Sequence, residues 1–390
     1  MSTAEEFFEK LQVQLDNNLP FVAYRIPSAL PGSTKAFLQK DDALHITEHY
    51  LESGFVFAPF DDNKDVVIIP QEQSTSLETK FKFSEAEDTS EKQNFPLEND
   101  EAARELHKQL VQQAVEKIIS GAFKKVVLSR KESLETVNLN PLSLFKKLLQ
   151  EYATAYVYCW YHPKVGLWMG ATPETLLEVE RNRFKTMSLA GTQKYNGTTN
   201  VTWGEKEIRE QKIVTDSILE NLLDISIDSV ETTLPYTARA GNLLHLKTDI
   251  SGQLSNSESN SKGQKKDQQI EIGKLISAIH PTPAVCGLPK ESAKQFILQN
   301  ENYHREFYTG FLGELNIRNE IKRSRNTRNR ENQAYATILK TSALYVNLRC
   351  MKLEENKVHL YIGGGITKDS DPDAEWEETK NKSQTMKAVL

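Results

Sequence analysis

Apolar residues along this chain follow two rhythms, and the alternation between them outlines the elements. Up to about Asn99, short apolar runs such as FVAYRIP and DVVIIP are separated by polar turns, which predicts short strands and connectors. The polar stretch EAEDTSEKQNFPLENDE closes this part as a linker. Leu106, Leu110, Ala114 and Ile118 then recur at helical spacing, with Gly121 where a C-cap would stand. In KKVVLSRKESLE the rhythm changes to alternation, so a strand is expected. Lys125, Val127 and Ser129 share one of its faces and Val126, Leu128 and Arg130 the other.

PLSLFKKLLQEY predicts a helix. TAYVYCWYHP, VGLWMGA and TLLEVE follow as strands in quick succession, the pattern of an antiparallel meander. A long helix is expected over roughly Gly204 to Leu223, and GNLLHLKTDISGQL as a strand. SNSESNSKGQKKDQQ has no apolar residue and predicts a mobile loop. The insert NEIKRSRNTRNRENQ carries a basic run that reads as a solvated surface loop. No internal repeat is visible. Strands that look antiparallel with helices between them predict an α+β fold.

Composition narrows the function classes. At 390 residues the chain is long enough for one large unit with a sizeable core. Its net charge of −6 argues against nucleic acid or an anionic membrane as the main partner. Cys159, Cys286 and Cys350 are odd in number and well separated, so a reduced, cytoplasmic compartment is expected. No apolar run approaches the ~18 residues of a membrane span. The start, MSTAEEFFEKLQVQLDNN, is acidic and lacks the form of a signal peptide.

Candidate chemistry concentrates near the C-terminus, in YIGGGITKDSDPDAEWEETKNK. Asp371 and Pro372 fit the N-cap and first position of a helix. Glu375, Glu378 and Lys382 then fall on one helical face. Two carboxylates there can hold a hard cation such as Mg²⁺, while the glycines at 363 to 365 let backbone N–H groups approach an anion. Acids in a first turn and glycines in a turn are equally what the helix dipole and turn geometry favour. A second acid pair, Glu207 and Glu210, lies on one face of the helix in GEKEIREQKIVTDSILENLL. A cation between the two helices would account for both pairs.

Two further groups stand out. Lys125 begins an alternating strand; if that strand is central, the lysine is inside, and a desolvated lysine can serve as a general base. On an edge strand it would be solvated. Glu174, after Pro173 in GATPETLLEVE, can be partly buried and kept protonated as a general acid, or be an ordinary turn carboxylate.

Eight segments in order, KKVVLSR, GATPETLL, LAGT, EKEIREQ, HPTPAVCG, REFYTGFLGEL, LYVNLRC and the acid helix, resemble the chorismate-utilising enzymes, most closely their isochorismate-forming branch. The resemblance runs from about residue 104 to the C-terminus. It implies residues 1–100 as a loosely matching part of the same fold and 101–390 as the chorismate-binding catalytic region. It also implies one α+β domain with antiparallel sheets in the core and helices outside, and Mg²⁺ on the substrate's carboxylate. By motif position, Glu210, Glu375 and Glu378 are metal-site acids, with Glu207 an outer neighbour. Lys125 matches the base that activates water and Glu174 the acid that protonates the leaving hydroxyl. Arg349 matches the arginine that grips a substrate carboxylate, and Gly363 and Gly365 match backbone donors with Lys382 close by. Thr192 and His280 match pocket-lining positions.

Lys125 stands where ammonia-using members carry glutamine, and Ala190 where aminodeoxychorismate-forming members carry lysine. Water is therefore the implied nucleophile, with no amidotransferase partner, and a monomer is expected. Salicylate-forming members, which go on to eliminate pyruvate, use largely the same residues. A non-catalytic relative would have lost Lys125, Glu174 or a metal acid, and none is lost. Gln211, Ser188 and Cys286 depart from the family's usual histidine, proline and glycine. The insert before Arg349 leaves Tyr335 and Tyr345 without an assigned role.

Overall fold

A computed structural model describes residues 2–27, 33–80, 101–137, 139–240, 243–255, 270–321 and 337–390. The linker after Lys80, the SNSESNSKGQKKDQQ segment beyond Ser255, most of the basic insert, and Tyr335 lie outside the described residues.

The chain opens with α1 (Ala4–Asp16), β1 (Phe21–Arg25), β2 (Ser33–Gln39), β3 (His45–Thr47), β4 (Gly54–Ala58), β5 (Val66–Pro70) and β6 (Ser74–Lys80). Next come α2 (Glu101–Ile119), β7 (Lys125–Glu135), α3 (Pro141–Glu151), β8 (Tyr156–His162), β9 (Gly166–Thr172), β10 (Thr175–Glu180) and β11 (Arg183–Lys194). α4 (Glu205–Leu222) leads to β12 (Ile227–Thr232), β13 (Tyr236–Ala240) and β14 (Leu243–Leu254). The last part holds α5 (Ile270–Ile279), β15 (Gly287–Leu288), α6 (Lys290–Asn300), β16 (Phe311–Ile321), β17 (Thr337–Val346), β18 (Cys350–Glu354), β19 (Lys357–Ile366) and α7 (Pro372–Lys387).

The strands form two antiparallel sheets. One runs β15-β7-β19-β18-β9-β8-β1-β2-β6, the other β12-β14-β11-β10-β17-β16-β4-β5-β3, with β13 also on β14. The sheets face each other across an aromatic layer to which both contribute, including Tyr24, Tyr156, Trp160 and Trp168 from one and Phe55, Phe57 and Tyr345 from the other. Helices cover the outer faces. α1 and α3 pack on the first sheet, α4 and α5 on the second, and α2 and α6 over β7. The α+β expectation holds.

Three local expectations shift. The first eighteen residues contain a helix, α1, started by a reciprocal Thr3–Glu6 capping box and anchored by buried Phe7, Phe8 and Leu11. In α2 the buried residues are His107, Val111, Ala114 and Val115, while Leu106 is 54% exposed. Each i+4 step overshoots a full turn by about 40°, so a run of three such steps leaves the core face. The expected meander also breaks. β8 pairs with β9, but β10 belongs to the other sheet, next to β11 and β17. The chain therefore crosses between sheets at Pro173 and Glu174. The N-terminal strands are shared in the same way: β1, β2 and β6 join one sheet and β3, β4 and β5 the other.

Candidate active site

β7 lies inside the first sheet, between β15 and β19, so its first residue is not solvated. Lys125 is 2% exposed, and its Nζ lies 2.5 Å from Glu210 Oε1 on α4. The opposite face of β7 also buries a charge: Arg130 donates to Thr379 Oγ1 on α7 at 2.9 Å and to Glu132 at 3.1 Å, with Trp376 beneath its guanidinium.

The glycine run, expected as a loop, is the end of strand β19. Gly363, Gly364 and Gly365 pair with Ser129, Leu128 and Val127 of β7. What glycine provides is proximity. A Cβ on Gly365 would stand 3.1 Å from Lys125 Cε and 3.3 Å from Glu210 Oε1, and one on Gly364 3.4 Å from Glu375 Oε2. β18 pairs with β19 only as far as Leu360, so the other edge of the glycine stretch is open. There Lys382 Nζ donates to Gly363 O at 2.9 Å and pairs with Glu378 at 2.7 Å. In an antiparallel pair a residue's N–H and C=O point the same way. The N–H groups of Gly363 and Gly365 therefore face this open edge too, as an anion cradle requires.

α7 begins as its sequence predicts, with Asp371 Oδ1 accepting from Ala374 N at 2.9 Å and proline next. That start directs Glu375 and Glu378 towards the glycines. Glu375 is 5% exposed, and its Oε2 has no hydrogen-bond partner among the described residues. Burial, and then Glu378 nearby, raises its carboxyl above the ordinary value against a Ser370 hydrogen bond. Burial also pushes Glu210 up, but Lys125, Lys382 and Lys206 outweigh it and hold that carboxyl low. Glu207 instead lies against Gly191 and Gly204. Among the described residues, no three acid, histidine or cysteine side chains close a metal site unaided. The donor set nevertheless suits Mg²⁺, which takes one or two protein carboxylates and fills its sphere with water and substrate oxygen. The orphaned Glu375 oxygen beside the glycine edge is the feature that a cation would satisfy.

A cavity of about 650 Å³ opens here, lined among others by Glu174, Thr192, Glu210, Arg349, Gly363, Gly365, Glu378 and Lys382. Glu174 enters it from the crossover between the sheets, where its backbone C=O accepts from Val346 N at 3.0 Å. It is 4% exposed, and burial pushes its carboxyl up to about 7 although Lys125 and Arg349 oppose the rise.

Arg349 stands with φ +46 just before β18, and its Nη2 donates to His245 Nε2 at 3.1 Å. His245 Nδ1 is 2.9 Å from Gly191 O. An imidazole that accepts from a guanidinium at one nitrogen donates to the carbonyl from the other, so it is neutral. Burial and Arg349 lower its pKa to about 4 accordingly. Thr192 Oγ1 is 3.4 Å from His245 Nδ1. His280 does not line the cavity: it lies behind it, with Nε2 3.1 Å from the carbonyl of Thr309, which does. Tyr345 is in the core, stacked on Tyr156 at 4.0 Å.

His245, Tyr308 and Lys206 also line the cavity; Tyr308 and Lys206 lie in REFYTGFLGEL and EKEIREQ, two of the segments that carry the resemblance, and His245 lies in none of them. Two of the departures from the family pattern prove to be partners. Gln211 Nε2 donates to Ser188 Oγ at 2.8 Å and to Thr248 Oγ1 at 3.1 Å, which ties α4 to β11 and β14 one residue beyond Glu210.

A family model described as chorismate binding enzyme matches residues 45–322, and a second of the same description matches 337–388. The chain is 28% identical over 291 residues to isochorismate synthase MenF of Escherichia coli K12, covering 72% of this chain and 59% of that one. It is 26% identical over 351 residues to isochorismate synthase DhbC of Bacillus subtilis, covering 84% and 78%. The solved structure of the menaquinone-specific MenF of Escherichia coli superposes with a TM-score of 0.71 at 20% identity, over 95% of this chain and 88% of that one, a likeness of fold.

Proposed function

The chain belongs to the chorismate-binding enzyme family, and from that premise we propose that it converts chorismate to isochorismate. Water adds at C2 of the ring while the C4 hydroxyl departs and the double bonds shift. The observation that carries this reading is Glu174, buried in the cavity wall with its carboxyl raised to about 7, with the buried Lys125 held against Glu210 of the same wall. Both relatives compared above carry isochorismate synthase as their name.

As the neutral amine, Lys125 takes a proton from the attacking water. Glu174, protonated, gives its proton to the departing hydroxyl, which leaves as water. Each transfer is worth about 10²–10⁴ in rate. Arg349, oriented by His245, receives one substrate carboxylate with its guanidinium fork. The Gly363 and Gly365 N–H groups, with Lys382, receive the other. Glu210, Glu375 and Glu378 would hold Mg²⁺. The ion would withdraw charge from the carboxylate conjugated to the reacting ring. Neither ammonia nor an amidotransferase enters this scheme. Among the described residues no helix is long and apolar enough to cross a membrane.

Incubating the purified protein with chorismate and Mg²⁺ and resolving the products by liquid chromatography tests the proposal. Isochorismate approaching an equilibrium mixture without pyruvate supports it. Equimolar salicylate and pyruvate would assign the chain to the salicylate-forming members. No loss of chorismate, with or without ammonium, would refute the roles given to Lys125 and Glu174.

A further inference from the structure

The helix that carries two of the metal acids has little apolar surface to fix how it lies. Its buried side chains are Glu375, Trp376, Thr379, Ser383 and Met386, and only Trp376 and Met386 are apolar. So short an apolar stripe does not by itself hold a helix to one rotation. At a side-chain radius of about 5–6 Å, a rotation of about 10° carries a carboxylate roughly 1 Å. The aim of Glu375 and Glu378 therefore depends on directional contacts along the neighbouring stripe, where Trp376, Thr379, Ser383 and Lys387 recur at helical spacing.

One buried carboxylate organises that stripe. Glu132 stands on the face of β7 opposite to Lys125, and its side chain is fully buried. Its Oε2 accepts from Arg130 Nη2 at 3.1 Å, and its Oε1 pairs with Nζ of Lys387 in the last turn of α7. Arg130 in turn holds the middle of the helix, through Thr379 Oγ1 and the Trp376 ring. Two anchors on α7, Thr379 and Lys387, are thus joined through one acid across roughly 12 Å of helix axis. Such contacts are directional, and slippage would leave a buried ion without its partner. The ion pairs from Arg104 and Lys108 to Asp373, at the start of α7, lie nearer solvent and hold it less. Glu132 falls two residues beyond KKVVLSR, outside the segments that carry the resemblance.

We propose that Glu132 is a positioning residue: by joining Arg130 to Lys387 it fixes the rotation of α7 that aims Glu375 and Glu378 at the glycine edge. The inference rests on the metal-binding role given to those acids above.

The test pairs Glu132→Gln, which keeps the volume and removes the charge, with Lys387→Gln, which leaves Arg130 on Glu132. Mn²⁺, which like Mg²⁺ takes octahedral oxygen ligands, is titrated with chorismate present. The paramagnetic resonance signal of the free ion reports binding whether or not turnover occurs. In Glu132→Gln the Kd for the ion should rise about tenfold to a hundredfold, the range for groups that orient metal ligands from behind. In Lys387→Gln it should rise at least about threefold. Charge alone acts oppositely in the two variants: losing an acid weakens cation binding, and losing a lysine tightens it. Weaker binding in both is the signature of positioning. A Kd that is unchanged or lower in Lys387→Gln, whatever the fall in melting temperature, would overturn the proposal, and that variant decides alone if Glu132→Gln does not fold. Wild-type protein that binds Mn²⁺ without converting chorismate would remove the isomerase reading and leave the role of Glu132 to the titration. Wild-type protein that binds no Mn²⁺ would remove the metal assignment and this inference with it.

Discussion

Replacing Glu174 with glutamine should stop the reaction and stabilise the protein, by an amount that depends on pH. The carboxyl ionises near 7 in the folded chain against an ordinary 4.5. Between those values the folded state holds the proton that the unfolded state has lost. Stability therefore falls as pH rises through the window, and the loss is complete above about 7. Over the whole interval it amounts to ~3 kcal/mol, and between pH 5 and 8.5 to about 2.5 kcal/mol. Glutamine cannot ionise and escapes the loss. Urea denaturation of both proteins with a chelator present should show Glu174→Gln gaining about 2.5 kcal/mol on wild type between pH 5 and pH 8.5. In the proposed mechanism the same protonated form is the one that acts, so activity falls in the same direction. Wild-type kcat/KM should therefore fall about tenfold per pH unit above 7, and the variant's kcat should drop ~10²–10⁴-fold. A swing below about 0.5 kcal/mol, or a kcat/KM profile flat to pH 9, would refute the assignment of Glu174 as a buried general acid.

Other consequences follow from the same geometry. Chelation should abolish turnover and Mg²⁺ restore it, while Glu378→Gln should raise the half-saturating Mg²⁺ at least about tenfold in initial-rate titrations. Arg349→Lys loses both the fork and the bond to His245, so KM should rise about tenfold to a hundredfold in steady-state kinetics. Since His245 titrates near 4, the wild-type KM profile should have no limb near 6.5; such a limb, absent from His245→Phe, would contradict the neutral imidazole. Arg305→Met leaves the Glu301 carboxylate buried without its cation and should cost ~3–5 kcal/mol by chemical denaturation.

Much of this arrangement is legible in the chain because it is decided within a few residues. The alternation in β7 places Lys125 and Arg130 on opposite faces, whatever the strand packs against. Asp371 and Pro372 start α7 by local hydrogen bonding and backbone preference, and so put Glu375 and Glu378 on one side of it. The motif resemblance led to the cavity because Glu174, Thr192, Glu210, Arg349, Gly363, Gly365, Glu378 and Lys382 line it, with Lys125 behind on Glu210 and Glu375 beside Gly364. His280, placed at the wall by the same resemblance, lies behind Thr309 instead.

Periodicity tells which face of an element is buried but not what buries it. Whether TLLEVE continues the sheet of β9 depends on the partners β11 and β17, and β17 lies more than 150 residues further on. That choice is what carries Glu174 across the interior and desolvates it. The glycines read as a loop because glycine weakens a lone strand, yet pairing with β7 holds them extended and leaves their outer edge to the cavity. The orientation of Arg349 comes from His245, a strand residue 104 positions earlier, and no local pattern marks that bond. By itself the sequence determined the type of most elements, the start of α7 and the two faces of β7, products of short-range sterics and alternation, while its motifs carried the family resemblance. The tertiary structure alone decided strand order and which groups are desolvated, because these depend on contacts between residues far apart in the chain.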